Sequence, residues 1–276
     1  MWSPERPVWH VALLEDRLVI GRAAPPWSMR RPDVQVLPVE PAATDGLAPW
    51  APAVAALSAW LGAQKGARAR LHIVLSACFV RWQLLAWPSQ LSRPDEVAAY
   101  TAVRFRETYG SAVDGWKLLH ADPTPGQAFP GCAVDTALLE ALQGLGAVSG
   151  TQIAQVMPYF SAAFDRWRGR VGRKTAWLGV VEPGYLTLAL LHRGGWQGLR
   201  SVRHEGLSAA GWQGVLSALQ TQMSVASGLA FAQEPALFLA GCSGAPLAPS
   251  DQGFTWLAPG SAREAGAGLD RMAWGV

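Results

Sequence analysis

The chain has 276 residues, half of them hydrophobic and 16% charged, a composition that suits two folded subdomains and excludes disorder. Its formal net charge is only +3, too small by itself to imply a nucleic-acid partner. Cys78, Cys132 and Cys242 lie far apart and match no metal-ligand spacing, so they read as buried thiols in a reducing cytoplasm.

The start of the chain, Met1 to Trp9, contains Pro4, Glu5, Arg6 and Pro7, which is not the basic region and apolar run of a signal peptide. Trp9 to Leu14 and Arg17 to Ala23 read as a hairpin across Glu15 and Asp16, followed by a third strand, Val34 to Val39. Val54, Leu57 and Leu61 then mark the apolar face of a helix, and Leu71 to Leu75 a strand of little polarity. From Phe79 to Trp87, the residues Val80, Trp82 and Leu84 alternate with Phe79, Arg81 and Gln83, so the latter three are expected on an accessible strand face. Ser92, with Pro94 and Asp95 after it, caps a helix to about Tyr109 whose inner face is Ala98, Ala102, Phe105 and Tyr109. Trp116 to His120 and Gly131 to Val134 are short strands around a Pro/Gly loop. A helix capped by Asp135, a strand from Ile153 to Val156 and a helix from Pro158 with Tyr159, Phe160, Ala163, Phe164 and Trp167 complete the first half.

The second half opens with strands Ala176 to Val181, Tyr185 to Leu191 and Trp196 to Val202, joined by the turn signals Glu182-Pro183-Gly184 and Arg193-Gly194-Gly195. Residues Gly206 to Gln233 lack charge, but Gln213, Gln220, Thr221 and Gln222 exclude a membrane span, and Trp212, Val215, Leu216, Leu219 and Met223 form a helical stripe. A buried-type strand, Leu237 to Ala240, then opens into Gly241-Cys242-Ser243-Gly244. Each half thus reads as three strands, a helix and a strand. That order predicts an α/β protein of the actin-like (ribonuclease H-like) fold with two related subdomains and a small inserted lobe. Residues 1–172 would form the first half, with the lobe at about 88–134, residues 173–260 the second half, and 261–276 a flexible tail.

Several stretches carry a family resemblance. The run Leu71 to Trp116, with Ser76, Phe79-Val80-Arg81, Leu84-Leu85, Trp87-Pro88 and Tyr109-Gly110, is similar to the PilM family of type IV pilus assembly and the cytoplasmic domain of the GspL family of type II secretion. Val156-Met157-Pro158, the Val181 to Leu191 hairpin and Leu239 to Gly244 resemble later landmarks of those families. The resemblance implies a bacterial, cytoplasmic scaffold at the inner face of the inner membrane. It would bind a PilN-like inner-membrane protein or its cytoplasmic segment, together with other pilus or secretion platform proteins. PilM relatives bind nucleotide, whereas GspL relatives generally keep the fold without that site. Leu14-Glu15-Asp16-Arg17 stands where the family's Asp-x-Gly phosphate loop is expected, and only a short loop separates Gly228 from Ala236, so the expectation is a chain with no cofactor and no catalysis.

The alternative is a nucleotide-binding actin-like ATPase of the same machinery. In that reading Glu182 replaces the missing acid beside magnesium and phosphate, with Gly184, Gly241 and Gly244 offering backbone N–H groups. The simpler reading makes Glu182 a turn carboxylate and the glycines features of the fold. His10, His72, His120, His192 and His204 have no paired spacing, and no Ser, His and Asp constellation can be assembled. Arg166, Arg168, Arg170, Arg173 and Lys174 cluster beside Trp167. They read first as a solvated helix end, second as a membrane-proximal patch for peripheral contact with anionic lipid, and only last as a nucleic-acid site. Partner capture is expected on the face of Phe79, Arg81 and Gln83, where an extended peptide can add to a strand edge.

Overall fold

The computed structural model describes residues 7–22, 33–40, 48–64, 69–88, 93–172, 174–204, 209–231, 233–242, 253–257 and 272. In chain order the first elements are β1 (Val8–Leu13), β2 (Arg17–Arg22), β3 (Asp33–Pro38), α1 (Ala51–Ala63), β4 (Arg70–Leu75) and β5 (Val80–Leu85). They are followed by α2 (Pro94–Tyr109), β6 (Trp116–His120), β7 (Phe129–Asp135), α3 (Thr136–Ser149), β8 (Gln152–Pro158) and α4 (Tyr159–Val171). The chain continues through β9 (Ala176–Glu182), β10 (Tyr185–His192), β11 (Gly195–Arg203), α5 (Ala209–Ser227), β12 (Ala236–Gly241) and β13 (Phe254–Trp256).

Contacts divide the chain into two compact units, Met1–Phe79 with Ala137–Ala162 and Ala258–Val276, and Val80–Thr136 with Ala163–Leu257. In the first unit the sheet order is β3-β2-β1-β4-β8. β1 to β3 form an antiparallel meander, while β4 and β8 run parallel to β1. The apolar face read on α1 is the one that packs: Val54, Leu57 and Leu61 are buried, and Trp60 meets Trp9 of β1 edge-on at 5.0 Å. The Trp60 indole N–H also donates to Gln35 at 3.3 Å, which satisfies a polar atom inside an apolar contact.

The second unit repeats this sheet as β11-β10-β9-β12-β13. α5 lays Leu216, Leu219 and Met223 over Trp177, Val181, Leu186, Leu188, Leu190 and Leu239. Each such side chain removed from water contributes about 1.5 to 3 kcal/mol. Gly179 faces Leu239 as its register partner on the neighbouring strand, and a Cβ there would stand 2.5 Å from the Leu239 Cδ2, so that side chain would have to shift. The predicted stripe is therefore correct at Leu216, Leu219 and Met223, while the Trp212 side chain lies outside the described residues.

The small lobe is an antiparallel sheet, β5-β7-β6, with α2 across one face. Its core contains Leu85, Val97, Phe105, Val113, Phe129 and Ala133. The buried stripe of α2 is Val97, Thr101 and Phe105, so the expected inner positions Ala98 and Ala102 are displaced by one residue from the packed face. Ser92 lies outside the described residues. The helix is entered through Arg93, whose N–H donates to the Glu96 carboxylate at 3.0 Å. The sequence placed the lobe with the first half and the division near Arg173. By contacts, residues 80–136 belong instead with the second sheet, because β5 and β7 lie beside β11, and the division falls at Ala162/Ala163 inside α4. Of the expected tail, only Met272 is described, and it is buried.

Candidate functional site

Two hairpins, one in each unit, share a pattern of backbone hydrogen bonds. In the second unit, β9 ends at Glu182, Gly184 turns with φ 77°, and Tyr185 pairs back opposite Glu182. The Cys242 N–H donates to the Val181 carbonyl at 2.8 Å and the His204 N–H to the Gly184 carbonyl at 2.9 Å. In the first unit, the Ser76 N–H donates to the Leu13 carbonyl at 3.0 Å, the Val39 N–H to the Asp16 carbonyl at 2.8 Å and the Leu14 N–H to the Arg17 carbonyl at 3.1 Å. The two hydrogen bonds of the second unit each have a counterpart in the first, and the Leu14–Arg17 bond corresponds to the pairing of Glu182 with Tyr185. They make Leu14 the counterpart of Glu182, Asp16 of Gly184, Ser76 of Cys242 and Val39 of His204. The strands agree further back, since Trp9 pairs with Leu71 of β4 as Trp177 pairs with Leu237 of β12.

That correspondence separates the chemistry of the turns. Leu14 is 2% exposed, and its side chain has no atom that could hold a metal or a phosphate. Asp16 stands at the glycine position, exposed and paired with the Arg17 guanidinium, whose hydrogen bond holds its carboxyl below the ordinary aspartate range. Glu182 keeps its carboxyl at the strand end, just before the turn, and is fully buried. The His204 ring closes over this turn with Nε2 at 3.1 Å from the Glu182 carbonyl oxygen, so that nitrogen carries the proton it donates. His204 was missed in the sequence because its role depends on a strand pairing far along the chain. Gly241 carries φ 101°, while Gly244 lies outside the described residues. Among the described residues no three His, Cys, Asp or Glu side chains group as a metal site.

The expected partner face is rearranged. Phe79 is not on a strand: it closes a short 3-10 turn, Ala77–Phe79, and is 8% exposed. Arg81 is exposed as expected. Gln83 faces α2 rather than solvent, its amide donating to the Thr108 hydroxyl at 3.1 Å and to the Arg104 carbonyl at 3.4 Å. The face read as accessible is therefore the one the helix covers at Gln83 and Leu85. The outer strand of the lobe is β6, where Leu119 is 48% exposed, and no other strand among the described residues pairs with its far side. The three thiols differ as well: Cys242 is buried, Cys132 is buried and pushed up to about 11 by loss of solvation, and Cys78 in the 3-10 turn is half-buried.

Of the basic cluster, Arg166, Arg168 and Arg170 occupy the end of α4 and are exposed, as is Lys174, while Arg173 lies outside the described residues. The Arg166 guanidinium lies 5.8 Å from the centre of the buried Trp167 ring. No helix among the described residues is long and apolar enough to cross a membrane.

No protein-family model and no curated protein sequence matches the chain. Solved structures do. A Bacteroides thetaiotaomicron protein with an actin-like ATPase fold and unknown function aligns with TM-score 0.54 and 10% identity, over 86% of this chain and 82% of the other. The cytoplasmic domain of EpsL, an inner membrane component of the type II secretion system of Vibrio cholerae, aligns with TM-score 0.54 and 12% identity over 97% and 92%. The PilM-PilN type IV pilus biogenesis complex aligns with TM-score 0.50 and 15% identity over 82% and 69%. The chain thus has an actin-like fold with an added antiparallel lobe, and at these identities the likeness concerns the fold alone.

Proposed function

We propose that this chain is a non-catalytic scaffold in the assembly platform of a type IV pilus or type II secretion system. It works at the cytoplasmic face of the inner membrane by binding the cytoplasmic segment of a PilN-like membrane protein. Likeness in fold to the EpsL cytoplasmic domain and to PilM supports the setting. The observation that carries the non-catalytic part is Leu14. At the position that matches Glu182 the first hairpin carries a buried hydrocarbon, which offers no charge to a metal or a phosphate. The connection from α5 to β12, Gly228 to Pro235, also leaves little chain to cover a nucleotide base. Partner capture falls on the lobe, where β6 can accept an extended segment along its outer edge with Leu119 beside it, while the exposed Arg81 stands on β5 and on the other face of the sheet.

A nucleotide-binding ATPase is the second reading. Glu182-Pro183-Gly184 favours it by keeping an acid two residues before a glycine of positive φ. Thermal unfolding with and without magnesium and ATP decides between them. No shift is expected, whereas a ligand at a hundred times its dissociation constant would add about 2.7 kcal/mol. Capture of the partner's cytoplasmic segment tests the surface: an Arg81→Ala, Leu119→Asp variant that still folds should lose about 1 to 3 kcal/mol of binding. Undiminished capture would move the interface off the lobe.

A further inference from the structure

The basic cluster at the end of α4 is larger than its sequence run. The chain leaving α4 passes Lys174 and Thr175 into β9, and the Thr175 hydroxyl lies 2.7 Å from Nδ1 of His192 in the last position of β10. That contact brings the β10–β11 turn, and with it the exposed Arg193, alongside Lys174. Phe164 of α4 packs at a tilt against Trp196 at the start of β11, with ring centres 4.7 Å apart, and so fixes the helix to the same end of the sheet. Arg193 takes φ 52°, a left-handed turn conformation that costs a side-chain-bearing residue and that Asn, Asp or Gly adopt more readily. An arginine therefore occupies a position where turn geometry alone would select another residue.

Arg166, Arg168, Arg170, Lys174 and Arg193 are all exposed at this end, and Arg168, Arg170, Lys174 and Arg193 enter no ion pair among the described residues. The opposite end of the same sheet carries Glu182, Gly184 and Gly241, so the basic end is separate from the hairpin site. The helix C-terminus attracts a cation or two by its dipole. It does not account for Lys174 or Arg193, which lie outside the helix. A protein of net charge +3 has thus gathered unneutralised cations from three segments onto one end of one unit.

We propose that this end of the second unit is a contact surface for anionic phospholipid headgroups, which would hold the chain against a bilayer independently of any protein partner. Charge complementarity selects the occupant. A single strand of nucleic acid would call for an exposed aromatic platform on which bases stack, and the aromatic of the cluster, Trp167, is 7% exposed; duplex phosphates are separated from lipid headgroups by the DNA arm of the experiment below. Scattered cations on a helix end, a linker and a turn suit a field of separate headgroups.

Cosedimentation of the full chain with vesicles tests this. Vesicles of phosphatidylcholine containing phosphatidylglycerol should bind it, pure phosphatidylcholine should not, and added salt should release it. Neutralising Arg168→Gln, Arg170→Gln, Lys174→Gln and Arg193→Asn should weaken binding roughly fivefold per cation, with an unchanged circular dichroism spectrum. Free glycerol phosphate should fail to compete. Equal binding to both vesicle types, retention by the quadruple variant, competition by glycerol phosphate, or tighter binding to duplex DNA than to the anionic vesicles would each overturn the proposal. Because no partner protein is present, failure here leaves partner capture untouched, and the lobe variant above should bind vesicles normally.

Discussion

Leu14 and Glu182 end corresponding strands, stand at the same point of corresponding turns and are both buried, yet one side chain is a hydrocarbon and the other a carboxylate. The hydrogen bonds that equate the two turns run through backbone atoms only, so they persist whatever side chain is attached. The repeated fold can therefore keep its architecture while the side chains at matching turns differ in chemistry. The same holds one strand-length back, where His10 of β1 corresponds to Leu178 of β9.

The largest asymmetry should appear at the paired tryptophans. Trp177 is 2% exposed beneath α5, whereas Trp9 is 9% exposed, with Arg22 5.5 Å from its ring centre. Trp177→Ala should lower stability in urea unfolding by about 3 to 5 kcal/mol, and Trp9→Ala by less, because less area returns to water. Equal losses would mean that the two halves are energetically equivalent despite their different turns.

Exchanging turn residues probes the next difference. Gly184 has φ 77°, while Asp16 does not share that left-handed backbone, so Gly184→Asp should cost about 1 to 2 kcal/mol. Asp16→Gly should change stability by well under that. A neutral Gly184→Asp would show that the two backbones interconvert freely.

The smallest effect is a pH dependence confined to the first half. Burial, and then the charge of the neighbouring His72 ring 5.2 Å away, push His10 down from 6.5 to about 4. The unfolded chain takes up this proton first as the solution is acidified. The stability contributed by neutral His10 is thus complete above pH 6.5 and is lost as pH falls toward about 4. The limiting slope is about 1.4 kcal/mol per pH unit, and partial exposure screens it to about 1 kcal/mol over the whole window. His10→Leu, which installs the counterpart residue Leu178, should flatten the acid limb of urea midpoints measured from pH 7 to 4.5. An unaltered limb would assign the acid sensitivity to other groups.

Much of the fold was legible because both sheets are built from apolar runs bounded by Gly, Pro and acidic turns. Val54, Leu57 and Leu61 of α1, and Leu216 and Leu219 of α5, sit where their spacing puts them. β13 escaped detection: Phe254–Trp256 is too short for periodicity and exists through its parallel pairing with β12. Phe79 was misplaced because the alternation of the strand was carried back into a residue that ends a 3-10 turn. Gln83 looked solvent-facing because a polar residue in a strand usually is, and its hydrogen bonds to Arg104 and Thr108 join residues more than twenty apart. The reach of the basic surface to Arg193 was hidden for the same reason, since Thr175 and His192 meet only when β9 and β10 pair.

The contrast among the thiols gives the molecule a built-in labelling handle. A thiol whose pKa is about 11 is almost wholly protonated at pH 8, so a maleimide finds little thiolate at Cys132, and burial closes Cys242 to the reagent. Cys78 is the half-buried thiol of the three, in the turn that joins β4 to β5, one residue before the first unit gives way to the second at Phe79. A fluorophore or spin label applied to the unaltered sequence would therefore report from that junction, without a single engineered cysteine.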